Sequence, residues 1–176
     1  CHAVLEAFGR DELLRDSREP EEIQAFLLAQ LESEFRARYG GDPPLSLLIQ
    51  KESIRRRLMH VARVQAEQRQ AGWQIRAVER PFTYEANGLG IRGRADRIEL
   101  SADGRTVRIV DYKTHDSPGK FDPESNHVKK GRAPAGLEFA QFEMGKGLCR
   151  WTDLQLPVYA LGLRQQPDFA GAEKVL

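Results

Sequence analysis

Cysteine is scarce in this chain, and long apolar runs and an excess of either charge are missing. Two cysteines, Cys1 and Cys149, are too few for a disulfide scaffold or a self-contained zinc site. The apolar runs are far shorter than a membrane span. No basic segment followed by an apolar run opens the chain, so no signal peptide is expected. A reducing, cytoplasmic setting fits, with Cys149 as a small buried hydrophobe.

The distribution of charge along the chain is more informative about binding partners than the net charge is. The net charge is only +1, but two basic clusters stand out. They could hold phosphates, or they could be a solvated helix face and a polar loop. The first cluster contains Arg55, Arg56, Arg57, His60, Arg63 and Arg69, and the second contains Lys129, Lys130 and Arg132.

Residues 1–72 are predicted to be helical. One helical pattern runs from Pro20 to Tyr39, and a second follows Pro44 and ends near Ala71 and Gly72. The chain also opens as though inside a helix and without an initiator Met, so we expect a piece of a longer protein. The predicted buried stripes are Ile23, Phe26, Leu27, Leu31 and Phe35 in the first helix and Leu47, Ile54, Leu58, Val61 and Val64 in the second.

From residue 73 the apolar period changes to that of strands. Strands are predicted over 73–85, with Trp73, Ile75 and Ala77 on one side, and over 90–100 and 106–114. Turn signals at 87–88 and 101–104 separate them. Three consecutive strands joined in this way indicate an antiparallel meander.

The rest of the chain is less regular. Residues 115–150 are rich in Gly, Pro and charge and predict a long loop, which is functional or mobile in a compact domain. A helix is predicted over 152–166, capped by Thr152 or Asp153, and a short strand over 169–176. The predicted apolar stripe of this helix is Leu154, Val158 and Leu161. The order of elements indicates a mixed α/β arrangement without regular βαβ alternation.

Two acidic residues and a lysine lie near one end of the predicted hairpin. Asp111 and Lys113 share one face of a strand because they are two residues apart, and Asp96 on the preceding strand falls toward the same end. Two close carboxylates raise each other's pKa unless a cation neutralises them, and Mg²⁺ favours carboxylate ligands. This pattern suits metal-assisted phosphodiester hydrolysis. An Asp-x-Lys triplet alone could equally be a surface ion pair.

The chain resembles the RecB-like branch of the PD-(D/E)xK nuclease superfamily. The resemblance rests on Gly93-x-x-Asp96, Asp111-Tyr112-Lys113, Gln155-x-x-x-Tyr159, and His2 followed by Leu5-Glu6. It implies a restriction-endonuclease-like α/β fold, in which a mixed sheet with an antiparallel three-stranded meander is flanked by helices. Glu79 falls where such proteins often carry a Glu before the hairpin.

Specific roles follow from this resemblance. Asp96, Asp111, His2 and the backbone carbonyl of Tyr112 would bind Mg²⁺ or Mn²⁺, with Lys113 as the catalytic lysine. Gln155 and Tyr159 share a helix face and would orient Lys113 or contact the DNA backbone.

Each role has an alternative. His2 could be frayed surface, Gln155 and Tyr159 ordinary boundary residues, and Glu79 only a partner of Arg80 or Arg92. His60, His115 and His127 match no motif and are expected on the surface or in loops, with His115 near enough to Lys113 to touch substrate.

The expected activity is a metal-dependent deoxyribonuclease, an exonuclease acting in repair or recombination. Residues 1–176 would form one nuclease domain, a helical part (1–72) followed by a catalytic core (73–176), within a larger protein that works with a helicase. Lys129, Lys130 and Arg132 would guide a DNA strand. The alternative is a catalytically inactive nuclease-like scaffold that binds DNA. No iron–sulfur cluster is predicted, because the usual cysteines beyond the last helix are not seen.

Overall fold

The computed structural model describes residues 1–113, 127–145, 147–169 and 171–175. The elements alternate between helical and strand blocks along the chain. The α-helices are α1 (His2–Arg10), α2 (Pro20–Tyr39), α3 (Leu45–Gln70) and α4 (Gln155–Arg164). The strands are β1 (Gln74–Ala86), β2 (Leu89–Leu100), β3 (Thr106–Val110), β4 (Val128–Lys130), β5 (Gln141–Met144), β6 (Gly147–Trp151) and β7 (Lys174–Val175).

Helices α1, α2 and α3 pack together over one face of the main sheet. Proline at the first position of α2 costs no hydrogen bond there, because that amide has no partner within the helix. The predicted α2 stripe is buried or half-buried as expected. In α3 the stripe is partly wrong: Val64 is 38% exposed, while Ala62, Gln65 and Ala66 are buried beside Leu58. The seam of α3 is therefore built from small residues and one polar residue that hydrophobicity alone does not mark.

The main sheet has the strand order β1-β2-β3-β7. The first three strands form the predicted antiparallel meander, and β7 pairs with β3 in parallel. Asn87 and Gly88 make the first turn, with φ angles of 51° and 81° that Asn and Gly tolerate best. The predicted strand over 106–114 ends at Val110, so Asp111 and Lys113 follow β3 instead of lying within it. The mixed α/β fold class is confirmed.

A β-bulge near the start of β1 changes which side chains face the helices. The register shifts between Ile75 and Ala77. Ile75 packs in the cluster with α1–α3, whereas Ala77 packs in the second cluster, beside Ile98 and Leu163. The prediction that Ile75 and Ala77 share one side is wrong, because the extra residue of a bulge reverses the alternation.

A second, three-stranded sheet lies within the segment that was predicted to be a long loop. Strands β4 and β5 both pair antiparallel with the central strand β6. The loop prediction for 115–150 is therefore wrong over 128–130, 141–144 and 147–150. These strands are short and carry lysines and glycines, which are not typical of strands. The rings of Phe142 and Trp151 stack at 4.8 Å and give this sheet an aromatic contact. His115 lies outside the described residues.

Helix α4 packs on the face of the main sheet opposite α1–α3. Leu154 and Leu161 are 48% and 53% exposed, so the predicted stripe is wrong, and the buried residues are Gly162 and Leu163. A Cβ atom on Gly162 would lie 2.5 Å from the ring of Phe82. The helix therefore approaches the sheet through its glycine. Within the described part of the chain, no single helix is both long enough and apolar enough to cross a membrane.

Candidate active site

Asp96 and Glu79 occupy a break in the pleat between β1 and β2. The ladder pairs Val78 with Arg97 and then Arg80 with Ala95, so Glu79 and Asp96 lie opposite each other between these pairs. Glu79 has a φ of 48°, which is unusual for a residue other than glycine. Ala95 and Ile98 pack in the same cluster although they are three residues apart. The alternation is thus interrupted at Asp96.

This break brings two carboxylates to the first turn of α1. His2, Glu79 and Asp96 each offer one ligand atom, and these atoms lie within 4.8 Å of one another. His2 Nδ1 is 3.8 Å from Asp96 Oδ2. One imidazole and two carboxylates form a donor set that suits Mg²⁺ or Mn²⁺. The three residues therefore fit a divalent cation, and we name them the ligand cluster.

Asp111 lies outside the ligand cluster and belongs to a network with α4. Its Oδ2 is 2.7 Å from Lys113 Nζ, and its Oδ1 accepts a hydrogen bond of 2.9 Å from Gln155 Nε2. Lys113 also donates to Gln155 Oε1 at 3.0 Å. Gln155 Nε2 lies 2.9 Å from Tyr159 Oη. These four predicted site residues are joined by direct contacts, with Gln155 in contact with each of the other three, and we name them the lysine network.

Tyr112 joins the ligand cluster to the lysine network. Its backbone N–H donates to Asp96 Oδ2 at 2.8 Å, and its neighbours in the chain are Asp111 and Lys113. Its ring meets the ring of His2 edge-on, with 5.9 Å between centroids, and packs against the helical cluster. The guanidinium of Arg97 lies 5.4 Å from the centre of the same ring. Tyr112 therefore contacts one acid through its backbone and the imidazole through its side chain.

Two groups of the site have displaced pKa values. The hydrogen bond with the Asp111 carboxylate raises the pKa of Lys113, and the charge of Asp111 adds to this effect. Burial raises the pKa of the Tyr112 phenol, because the charged form loses hydration. At neutral pH, Lys113 is a cation and Tyr112 is neutral.

The start of α4 is fixed on both sides of Gln155. The carboxylate of Asp153 accepts a hydrogen bond of 2.7 Å from the Gln155 backbone amide, which satisfies one of the free amides at the helix start. Four residues along, the ring of Tyr159 meets Phe82 of β1 edge-on at 5.4 Å. These contacts aim the Gln155 side chain at Asp111 and Lys113.

The predicted DNA-contacting residues lie in the second sheet and its first turn. Lys129, Lys130 and Arg132 are exposed. Arg150 is a further basic residue beside them that the sequence did not indicate: it lies directly across from Lys129, and its Nη1 donates to the carbonyl of Arg132 at 2.5 Å. Cross-strand pairing was the signal needed to find it, and the segment was not recognised as a sheet.

Two predictions about single residues need correction. Glu79 has neither Arg80 nor Arg92 as its ion-pair partner; Arg94 Nη1 lies 3.6 Å from its carboxylate. His127 is buried rather than on the surface, with Nδ1 3.6 Å from Asp153 Oδ2. His60 is exposed, as predicted.

A buried charge network beneath Tyr112 was not foreseen either. Glu99 is fully buried, with one carboxylate oxygen 2.8 Å from Arg97 Nη2 and the other in contact with Arg108. Arg97 also donates to Gln65 of α3 at 2.9 Å, and Arg108 lies over the ring of Trp73. This network ties β2 and β3 to α3 directly behind the site.

Neither curated proteins nor solved structures give a match to this sequence. One family model, that of the PD-(D/E)XK nuclease superfamily, matches residues 1–175. The predicted superfamily and its fold are thereby confirmed, while the RecB-like branch remains a prediction. The match spans the segments that carry Asp96, Asp111 and Lys113. This chain therefore belongs to the PD-(D/E)XK nuclease superfamily.

Proposed function

We propose that this protein is a divalent-metal-dependent deoxyribonuclease that hydrolyses DNA phosphodiester bonds. One observation carries the proposal: the ligand cluster of His2, Glu79 and Asp96, with atoms within 4.8 Å of one another, is linked through Tyr112 to Lys113. Metal ligands and a cation beside them are the groups that hydrolysis of a phosphodiester requires.

The residues that would hold Mg²⁺ or Mn²⁺ are those of the ligand cluster, with Asp111 and the backbone carbonyl of Tyr112 as further ligands. An imidazole among oxygen donors favours Mn²⁺ more than a set of oxygens alone does. When bound, such a cation polarises the phosphoryl oxygen and lowers the pKa of a coordinated water.

Lys113 contributes positive charge next to the ligands. Its raised pKa keeps the ammonium protonated, so it suits stabilisation of the negative charge that develops on the phosphate better than proton abstraction. Gln155 accepts one hydrogen bond from Lys113 and donates another to Asp111, which fixes both side chains relative to each other. Tyr159 restrains the amide of Gln155 in turn.

Lys129, Lys130 and Arg132 would contact the phosphates of the DNA strand. These side chains are exposed, and β6 leads directly to Asp153 and Gln155 at the site. Removing two phosphate contacts on single-stranded DNA makes the negative slope of log K against log salt shallower by about 1.4. We expect this change in the double variant Lys129→Ala/Lys130→Ala.

Exonucleolytic cutting in repair or recombination, next to a helicase, completes the proposal and rests on the resemblance to the RecB-like branch. A helicase presents single strands to a nuclease, and a strand-guiding basic surface fits that task. We predict that duplex DNA is degraded faster when a helicase unwinds it. A separate oligonucleotide, tested without the helicase, serves as the control for unassisted cutting.

The test is degradation of end-labelled linear DNA and of circular DNA in Mg²⁺, Mn²⁺ or EDTA. We expect Mn²⁺-dependent cutting that is lost in Asp96→Asn, Asp111→Asn and Lys113→Met. Glu85→Gln and Lys174→Met are matched controls, because they remove the same charges at exposed positions and should retain activity. Cutting that requires a free end identifies an exonuclease.

Binding of Mn²⁺, measured by calorimetry, separates ligands from residues that act on the substrate. We expect weaker binding in His2→Ala, Glu79→Gln and Asp96→Asn, and unchanged binding in the Lys113 variant. DNA binding that is indifferent to metal, without any cutting by the wild type in Mn²⁺, would instead identify the inactive DNA-binding scaffold.

A further inference from the structure

Arg94 lies beside the ligand cluster, with its side chain largely in solvent. Its Nη1 atom is 3.6 Å from a carboxylate oxygen of Glu79, which belongs to that cluster. The Arg94 side chain is 68% exposed, whereas the Glu79 side chain is 20% exposed. An ion pair with one partner this exposed holds the guanidinium only weakly. Arg94 is therefore available to a ligand that approaches the cluster from solvent.

The direction of the Arg94 side chain follows from its neighbours on β2. A Cβ atom on Gly93 would overlap the ring of Phe82, and Ala95 packs in the cluster that contains Leu163 of α4. Positions 93 and 95 therefore face α4. Because side chains alternate along a strand, Arg94 faces the other side of the sheet, which is the side of α1 and of the ligand cluster.

The hairpin face that carries Arg94 is open next to the cluster. Pro81 pairs with Arg94 across the β1–β2 ladder, and Thr83 pairs with Arg92. All four of these residues are exposed. Glu85, farther along the hairpin, is also exposed and adds a negative charge. Along this open face, Arg94 is the arginine nearest in the strand to Asp96, so it is the first cation that a DNA backbone leaving the cluster would meet.

The chemistry of the guanidinium suits a phosphate at this place. A phosphate that shares a divalent cation with Glu79 lies next to the Glu79 carboxylate, and so does Arg94. When Glu79 ligates a cation, its attraction for Arg94 falls, and the negative phosphate becomes the stronger partner of the guanidinium. The planar fork of arginine can donate to two phosphate oxygens at once.

We propose that Arg94 binds the phosphate that is cut, and that it exchanges its ion pair with Glu79 for this contact when the ligand cluster holds a divalent cation. The inference rests on the proposed nuclease function and adds a substrate-contacting residue at a position that the motif Gly93-x-x-Asp96 leaves open. It predicts two effects of opposite sign: removing Arg94 strengthens the binding of metal and weakens the binding of DNA. A residue that only supports the fold would weaken both.

Calorimetry with Mn²⁺ in the absence of DNA tests the first effect. Arg94→Ala should bind Mn²⁺ about 2- to 5-fold more tightly than the wild type, because a solvent-screened positive charge beside a ligand carboxylate is removed. Arg94→Lys keeps the charge and should bind Mn²⁺ as the wild type does. Arg105→Ala is the matched control and should also bind as the wild type, since Arg105 is 67% exposed and lies 3.7 Å from Glu173, next to the turn between β2 and β3.

The salt dependence of DNA binding tests the second effect without cutting. The anisotropy of a labelled single-stranded oligonucleotide is titrated in Ca²⁺ at several salt concentrations, and electrophoresis checks that the DNA stays intact. Arg94→Ala should make the negative slope of log K against log salt shallower by about 0.7, the value for one phosphate contact on a single strand. Arg94→Lys and Arg105→Ala should keep the wild-type slope.

Cleavage in Mn²⁺ at low DNA concentration completes the comparison. Arg94→Ala should cut about 10-fold more slowly or less, because a hydrogen-bonded contact with a charged group is lost. Arg94→Lys should lie between this variant and the wild type, since lysine has the charge but lacks the planar fork.

The outcomes separate this inference from the nuclease proposal. Mn²⁺ binding that is unchanged or weaker in Arg94→Ala, or a salt slope equal to that of Arg105→Ala, overturns the role of Arg94, while wild-type cutting leaves the nuclease proposal intact. Tighter Mn²⁺ binding together with a shallower slope, in a wild type that cuts no DNA, supports the phosphate contact of Arg94 and refutes the nuclease proposal.

Discussion

The side-chain carbonyl of Gln155 lies 3.0 Å from Lys113 Nζ, and the nitrogen of the same amide lies 2.9 Å from Asp111 Oδ1. One amide thus satisfies a cation with its acceptor and an anion with its donor. An apolar side chain of similar size can do neither. The orientation of Lys113 and of Asp111 therefore depends on a residue from a different part of the chain.

Replacement of Gln155 by Leu should reduce DNA cleavage about 10- to 100-fold, the usual loss when an outer partner of a metal ligand is removed. Thermal unfolding should change little, because Gln155 is only partly buried. Arg164→Ala, at an exposed position of the same helix, is the control. Full activity in Gln155→Leu would show that Lys113 does not need this partner.

Lys113 should titrate above its ordinary pKa of 10.5 in the metal-free protein. A raised pKa means that its ion pair with Asp111 contributes stability fully below the ordinary value and loses it as pH rises through the folded value. The NMR titration of the Lys113 side chain measures this directly. In Asp111→Asn the midpoint should move down, and an unchanged midpoint would contradict the assigned cause.

Gly162→Ala should displace α4 from the sheet. The added Cβ would lie 2.5 Å from the Phe82 ring and 3.1 Å from Tyr84, and neither ring can move as a flexible chain end would. Overpacking of this kind costs about 1–3 kcal/mol, measured by denaturant unfolding. Cleavage should fall with it, because α4 carries Gln155 and Tyr159. Gly171→Ala, where a Cβ meets open space, should leave both quantities unchanged.

Glu99→Gln should be among the most destabilising single substitutions. It leaves the guanidinium of Arg97 buried without its carboxylate partner. It also weakens the contact with Arg108, which is partly exposed. Removing one partner of a buried ion pair costs about 3–5 kcal/mol in the free energy of unfolding. Denaturant titration tests this, with the exposed Glu143→Gln as the control. A loss below about 1 kcal/mol would mean that water reaches the network.

Those parts of the fold with strong periodicity could be predicted from the sequence. The bounds of α2 and the meander of β1–β3 agree with the structure, because repeated apolar residues and the Asn87-Gly88 turn dominate there. The second sheet was missed since its strands are only 3–5 residues long. Its pairing is stabilised by contacts between segments, and no periodicity within β4 or β6 reveals them.

The candidate site, too, could be predicted from the sequence only in part. Gln155 and Lys113 are in contact, which agrees with the expectation that Gln155 orients Lys113; the motifs mark both residues, although 42 positions separate them. The sequence leaves open whether Glu79 belongs to the site or only to an ion pair, since strict alternation along β1 gives no reason for it to meet His2. The pleat break opposite Asp96 supplies that reason, and it arises from the pairing of two strands.

The close seating of α1 on the sheet has a consequence for biosynthesis. A Cβ on Gly9 would lie 2.3 Å from the Val78 side chain, so α1 reaches β1 without a spacer and carries His2 to the acids of the hairpin. Gln155 is translated long after them. When a ribosome-bound nascent chain ends before α4, all three residues of the ligand cluster have been made, whereas Gln155 and Tyr159 of the lysine network have not.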